Sequence, residues 1–267
     1  MTRAALDSAF AAGRTSGRAL LMPFIVCGHP SEASFVDVAA ACAENGADVL
    51  EIGIPFSDPI MDGPVIQEAA FSVLARGPRV EAMLETIEAA QRAAGIPFVL
   101  MTYYNLAMQH GLDWFAAAAL AHGASGVILP DLSVEESGEW RKSCAQAGIA
   151  SIFIAAVTSD DARLRSIGEA SEGFVYAASL LGVTGVRSEM SSRAQSLVSR
   201  IRAATDQPVA VGIGVSTAAH AAEVAAFADG VIVGSALVKR IGEASDPAAA
   251  AGKFVAELRD GIAEAKR

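Results

Sequence analysis

The chain has no stretch of about 18 apolar residues free of charge, glycine and proline, the shortest run that would cross a bilayer as a helix. Cysteine is scarce: Cys27, Cys42 and Cys144 are odd in number and far apart. That spacing argues against a disulfide framework and against a CxxC redox or zinc motif, and all three are expected to be reduced core residues. Positive charge is also short, with 20 Lys and Arg against 30 Asp and Glu, a net charge of -10 and a pI near 4.9. Phosphate backbones need a basic surface, so nucleic acid is excluded as an expected partner. An anionic small molecule would have to be held by backbone dipoles or a few cations, against the overall field.

Other absences narrow the chemistry. The lysines, Lys142, Lys239, Lys253 and Lys266, all fall in segments that read as helix or loop, which leaves no strand lysine for a Schiff-base aldolase. His29, His110, His122 and His220 show neither HxH nor HExxH spacing, so no clustered metal ligands are expected. There is no P-loop, and GIGVSTAAH lacks the dinucleotide fingerprint. No cofactor is called for in this chain. The opening segment, MTRAALDSAFAAGRTSGRAL, reads as an extra helix before the first strand; Asp7 and scattered arginines break any secretory apolar core, so the cytoplasm is the expected compartment.

What is present is ample core material, 52% hydrophobic residues with a mean hydropathy of +0.39. It is distributed in eight short β-rich runs: 21–26, 47–54, 98–104, 125–131, 150–157, 173–178, 208–214 and 229–235. Ala-rich segments with helical spacing lie between them. Caps are expected at Ser31, at Ser133 with Glu136, at Ser159 and at Ser216. Near-continuous apolar strands alternating with helices predict a parallel sheet covered by helices, and eight such units fit a single (β/α)8 barrel, the TIM barrel, spanning 1–267. An open doubly wound sheet is the competing arrangement. The second unit takes about 50 residues and the sixth about 35, so long loops follow strands 2 and 6, with an extra helix over 79–94 in the second unit.

Within the second strand, Val49, Glu51 and Gly53 share one face and Leu50, Ile52 and Ile54 the other. The bulky set suits the helix-facing layer, so Glu51 points inward, near the mouth because Pro55 ends the strand. A buried carboxylate either finds hydrogen bonds or keeps a proton with a raised pKa, which a general acid at neutral pH requires. Both readings of Glu51 stand at this point. The loop FSDPIMDGP that follows carries Asp58 and Asp62, which either cap turns or face the mouth. Glycines of GIG (212–214), Gly234 with Ser235, and Gly182 and Gly185 in LGVTG either serve ordinary turns or let backbone amides approach a phosphate at the last strands.

LEIGIPFSDPIMDGPVIQ closely resembles the signature LELGxPFSDPxADGPxIQ of the tryptophan synthase alpha subunit family. MPFIVCGHP, MTYYN, FVYAASLLGVTG, GIGVS and GSALVK resemble the family's other strands and loops, in order, over nearly the whole chain. The resemblance implies retro-aldol cleavage of indole-3-glycerol phosphate to indole and glyceraldehyde 3-phosphate, without metal or Schiff base. It implies that Glu51 is the acid and base and that Asp62 stabilises positive charge at the indole N–H. Tyr176 would line the site near Glu51, with Phe24, Tyr103, Ile128, Ile213 and Ile232 as walls of the indole pocket. Gly185, Gly214, Gly234 and Ser235 would bind phosphate, and Thr184 of the loop after strand 6 would help close the site with Asp58.

The resemblance further implies a beta subunit that carries pyridoxal phosphate and receives indole, in an alpha2beta2 tetramer, with Ile54, Pro55, Phe56, Asp58 and Pro59 in the region facing it. The sequence departs from the family pattern in three places: Leu180 and Leu181 follow Ser179 where relatives have Ser-Arg, His29 stands for Asp or Tyr, and Met61 for Ala. An alpha-like protein that only regulates the beta subunit, and a free-standing lyase that releases indole, are the other expectations to be tested.

Overall fold

The computed structural model describes residues 2–178 and 187–265. Its strands are β1 (Leu20–Val26), β2 (Leu50–Gly53), β3 (Phe98–Met101), β4 (Ala124–Ile128), β5 (Ala150–Ile152), β6 (Ile154–Ala156), β7 (Val175–Ala178), β8 (Val209–Gly212) and β9 (Gly230–Val233). All pair in parallel, in the order β5-β4-β3-β2-β1-β9-β8-β7-β6. β5 and β6 are the two halves of the single run expected at 150–157, parted by Phe153 alone. The first half pairs with β4 and the second with β7, so the ring closes through this strand and the structure is the expected (β/α)8 barrel. At the break the Tyr176 N–H donates to the Phe153 carbonyl at 3.0 Å and the Phe153 N–H to Ser171 Oγ at 3.3 Å, so the interruption leaves these backbone groups paired.

Strand alternation sorts the core into two layers. Leu50, Ile52 and Ile54 join the cluster between sheet and helices, while Val49 packs inside with Leu20, Met22, Val99, Ile128, Ile152 and Ile232. Inward glycines make room for a large neighbour: a Cβ on Gly126 would meet Ile152 Cδ1 at 2.7 Å and one on Gly230 would meet Met22 Sδ at 2.7 Å. The extra amino-terminal helix, Arg3–Thr15, sends Leu6 and Phe10 into the inner cluster, with the Phe10 ring 5.4 Å from that of Phe174. Asp48, just ahead of β2, accepts both ends of the Arg18 guanidinium (2.9 and 2.8 Å), Arg259 (3.2 Å) and the Leu21 N–H (2.8 Å). Plug and ion pairs lie where the strands begin, which leaves the other end of the barrel for chemistry.

The second unit holds two helices, Pro64–Leu74 and Val80–Ala94, the first with Pro64 at its first position where a missing N–H costs nothing. Ser31 caps Glu32–Glu44 as expected, accepting the Ser34 N–H. The other caps move by a residue or more: Asp160 rather than Ser159 and Thr217 rather than Ser216 hold extended dihedrals and accept the N–H three residues on. Ser133 meets Glu136 side chain to side chain, but opens only a 3-10 turn, Val134–Glu136, before the helix Gly138–Ala147. Cys27, Cys42 and Cys144 are buried and free. Among the described residues no helix is long and apolar enough to cross a membrane.

Candidate active site

Glu51 lies in β2, in register with Phe24 of β1 and Val99 of β3. It is 1% exposed, and its Oε2 has no hydrogen-bond partner. Burial first, and the charge of Asp62 second, push its pKa up from the ordinary 4.5 to about 8. A glutamate that served only to tie the barrel together would have its oxygens engaged. This one keeps an oxygen free and a proton near neutral pH, the state a general acid needs.

Asp62 lies on the loop between β2 and the helix Pro64–Leu74, half-buried. The Tyr103 hydroxyl donates to its Oδ2 at 3.0 Å and accepts the Met61 N–H at 2.9 Å. Phe56 stacks on the Tyr103 ring, centroids 5.1 Å apart and planes at 21°. Gln67 Nε2 reaches back to the carbonyls of Pro59 (3.2 Å) and Asp62 (3.0 Å), which fixes the loop's main chain. Burial raises the Asp62 pKa, and the Tyr103 hydrogen bond holds it part of the way back. Phe24, Gly53, Asp62, Met101 and Tyr103 together line a cavity at the mouth. Tyr176 stands in the field of both acids: burial, then Glu51, then Asp62 raise its hydroxyl well above the ordinary range.

Of the expected pocket walls, Ile128 and Ile232 lie in the inner cluster and Tyr176 packs against it. Phe24 and Tyr103 line the cavity beside Asp62, where Tyr103 contributes a polar group as well as a ring. Ile213, one residue beyond β8, is out of phase with inward Ala210 and packs against the helix-facing cluster. The sequence reading missed Met101 and Ile154, half-buried side chains that pack on the inner cluster. The alternation rule applied to β2, carried along the third and fifth runs, would have found both.

β8 and β9 are neighbours in the sheet, so Gly214 and Gly234, each just past a strand end, emerge side by side at the mouth. Gly214 is exposed in the left-handed region, φ 75°. Gly234 precedes the helix Ser235–Glu243, and its carbonyl accepts the N–H groups of Leu237 and Val238. The leading N–H groups of that helix have no intrahelical partner, an arrangement suited to an anion. Thr184 and Gly185, and the departures at Ser179, Leu180 and Leu181, lie outside the described residues.

In the loop after β2, Pro55 and Pro59 are buried, Phe56 is half-buried against Tyr103, and Asp58 is exposed, accepting from Ser57 Oγ at 2.6 Å. The apolar groups the loop shows to solvent are instead Ile60, 77% exposed, and Met61, 56% exposed.

The sequence model of the family described as tryptophan synthase alpha chain matches residues 10–266. The chain belongs to the tryptophan synthase alpha chain family. The tryptophan synthase alpha chain of Streptomyces coelicolor is 48% identical over 244 residues, 91% of this chain and 90% of that one. Among solved structures, tryptophan synthase from M. tuberculosis in an aminoacrylate-bound form superposes with a TM-score of 0.88 at 38% identity, covering 98% of this chain and 100% of that one. The alpha subunit from Legionella pneumophila superposes with a TM-score of 0.90 at 33% identity, covering 98% and 99%. A tryptophan synthase alpha chain family member thus carries one buried and one half-buried acid, and its paired glycine loops, at one mouth of one barrel.

Proposed function

We infer that the chain is a lyase that cleaves indole-3-glycerol phosphate to indole and glyceraldehyde 3-phosphate, with Glu51 and Asp62 as its catalytic carboxyls. The observation that carries this reading is Glu51 itself, buried, with one oxygen unpartnered and a pKa near 8. Most Glu51 side chains hold a proton at neutral pH, ready for transfer to indole carbon 3. Protonation there places positive charge on the ring nitrogen, which the Asp62 carboxylate meets through the N–H. The carbon-carbon bond then breaks: its electron pair returns to the indole ring, and the hydroxyl on the departing carbon gives up its proton as the aldehyde forms. Glu51, now ionised, is the acceptor for that proton. The phosphate is held by Gly185, Gly214, Gly234 and Ser235, and Thr184 helps close the site with Asp58.

Indole is apolar and escapes readily, so its cleavage is coupled to a beta subunit that holds pyridoxal phosphate and consumes indole, in an alpha2beta2 assembly in the cytoplasm. The loop Pro55–Pro59, with exposed Ile60 and Met61, suits that contact. Glu51→Gln and Asp62→Asn test the reading: each should fold and bind the beta subunit yet lose most indole release, and undiminished turnover in Glu51→Gln would end the proposed mechanism.

A further inference from the structure

Asp62 is carried by a loop, yet its task demands a fixed carboxylate. The main chain of that loop is secured by the Gln67 amide and by the Asp62 N–H donating to the Pro59 carbonyl at 3.0 Å, but neither bond touches the carboxylate. The bond that does comes from β3's end, from Tyr103. We propose that Tyr103 is a positioning residue for the lyase step, its hydroxyl setting the Asp62 carboxylate against the indole nitrogen while it holds the Met61 backbone of the same loop. The proposal rests on the reading of Asp62 given above.

Three features support it. Tyr103 is 5% exposed, stands two residues past the end of β3, and has its ring held by the Phe56 stack, so the hydroxyl has a fixed place between the sheet's end and the loop. Accepting the Met61 N–H at 2.9 Å polarises the hydroxyl and makes it a better donor to Asp62. Burial disfavours an anion at Asp62, and the titratable groups around the site, Glu51 of β2, Tyr176 of β7 and Asp131 beyond β4, offer no positive charge to offset it. A hydroxyl donor opposes that trend and keeps Asp62 in the ionised form that can meet an N–H.

Tyr103→Phe in the full chain keeps the ring and its stack and removes the hydroxyl. Expected is a fall in kcat for indole-3-glycerol phosphate cleavage of about 10- to 100-fold, the loss of a hydrogen bond to a charged group, with KM changed by less than roughly threefold. The acid limb of the kcat profile should move to higher pH, because Asp62 loses the donor that keeps it ionised. A merely structural role would lower the melting temperature without moving that limb. Carbon-13 titration of the Asp62 carboxyl in the same variant gives a reading independent of turnover, and its midpoint should rise. Asp62→Asn is assayed alongside. If Asp62→Asn is inactive while Tyr103→Phe keeps wild-type kcat and an unmoved limb and carboxyl midpoint, the positioning role is refuted and the reading of Asp62 stands. If Asp62→Asn turns over normally, that reading fails and the role of Tyr103 goes with it.

Discussion

Replacing Glu51 with glutamine should abolish cleavage and, above neutral pH, make the protein more stable. In the unfolded chain this carboxyl loses its proton near 4.5, whereas in the fold it holds the proton up to about 8. Between those values the folded state binds more protons than the unfolded one, so its stability falls as pH rises; the penalty is absent below the lower value and complete above the upper one. Linkage puts the cost at just under 1 kcal/mol at pH 5, about 3 kcal/mol at pH 7 and nearly 5 kcal/mol at pH 9. Glutamine has the same shape and does not titrate. Every other ionisable group is common to the two proteins, so the difference in unfolding free energy isolates position 51. Urea unfolding at pH 5, 7 and 9 should show that difference shift in favour of Glu51→Gln by about 2 to 3 kcal/mol over the first interval and by about 1 to 2 kcal/mol over the second. Parallel stability profiles would mean that the fold does not hold this proton, and the argument for a general acid poised near neutrality would fall.

Gly53→Ala places a Cβ 2.5 Å from Cζ of Phe24, so the ring must move into the cavity beside Asp62; the variant should lose about 1 to 3 kcal/mol of stability and show a raised KM for substrate, checked by melting and steady-state kinetics. Ser125 is fully buried with an unpartnered Oγ. Ser125→Ala should therefore be neutral or stabilising by up to about 1 kcal/mol in urea unfolding, and a loss larger than that would expose a missing partner such as a buried water. Ile60→Asp should leave the stability of the isolated chain within about 0.5 kcal/mol and weaken association with a beta subunit about tenfold or more in a titration; unchanged affinity would move the contact off this loop.

The inward direction of Glu51 was legible because it depends on a local rule. Side chains alternate along any strand, Pro55 marks where this strand stops, and bulky Leu50, Ile52 and Ile54 leave one face for the acid. The recurrence of eight such runs with helices between them carried the barrel for the same reason, since each period is read over a few residues. Even Met101 and Ile154 were within reach of that rule. The motif from Leu50 to Gln67, by its resemblance to a family, carried the expected chemistry; residue spacing on its own left Glu51 and Asp62 undecided.

Other features depended on which segments meet. Tyr103 and Asp62 are 41 residues apart, and nothing in MTYYN shows that its first tyrosine bonds a loop acid rather than only walling a pocket. Whether Phe56 or Ile60 faces solvent turns on the fold of one loop: the Tyr103 ring offers Phe56 a stacking surface, and Ile60 has none. Phe153 breaks its strand because the two halves pair with different neighbours, β4 and β7, a division that appears only when the ring closes. The sequence determined that an acid would stand inside the barrel near its mouth. Only the tertiary structure decided that it would stand there desolvated, with an oxygen unpartnered and a second acid close enough to raise its pKa, because desolvation and charge coupling are properties of neighbours and not of the chain's own order.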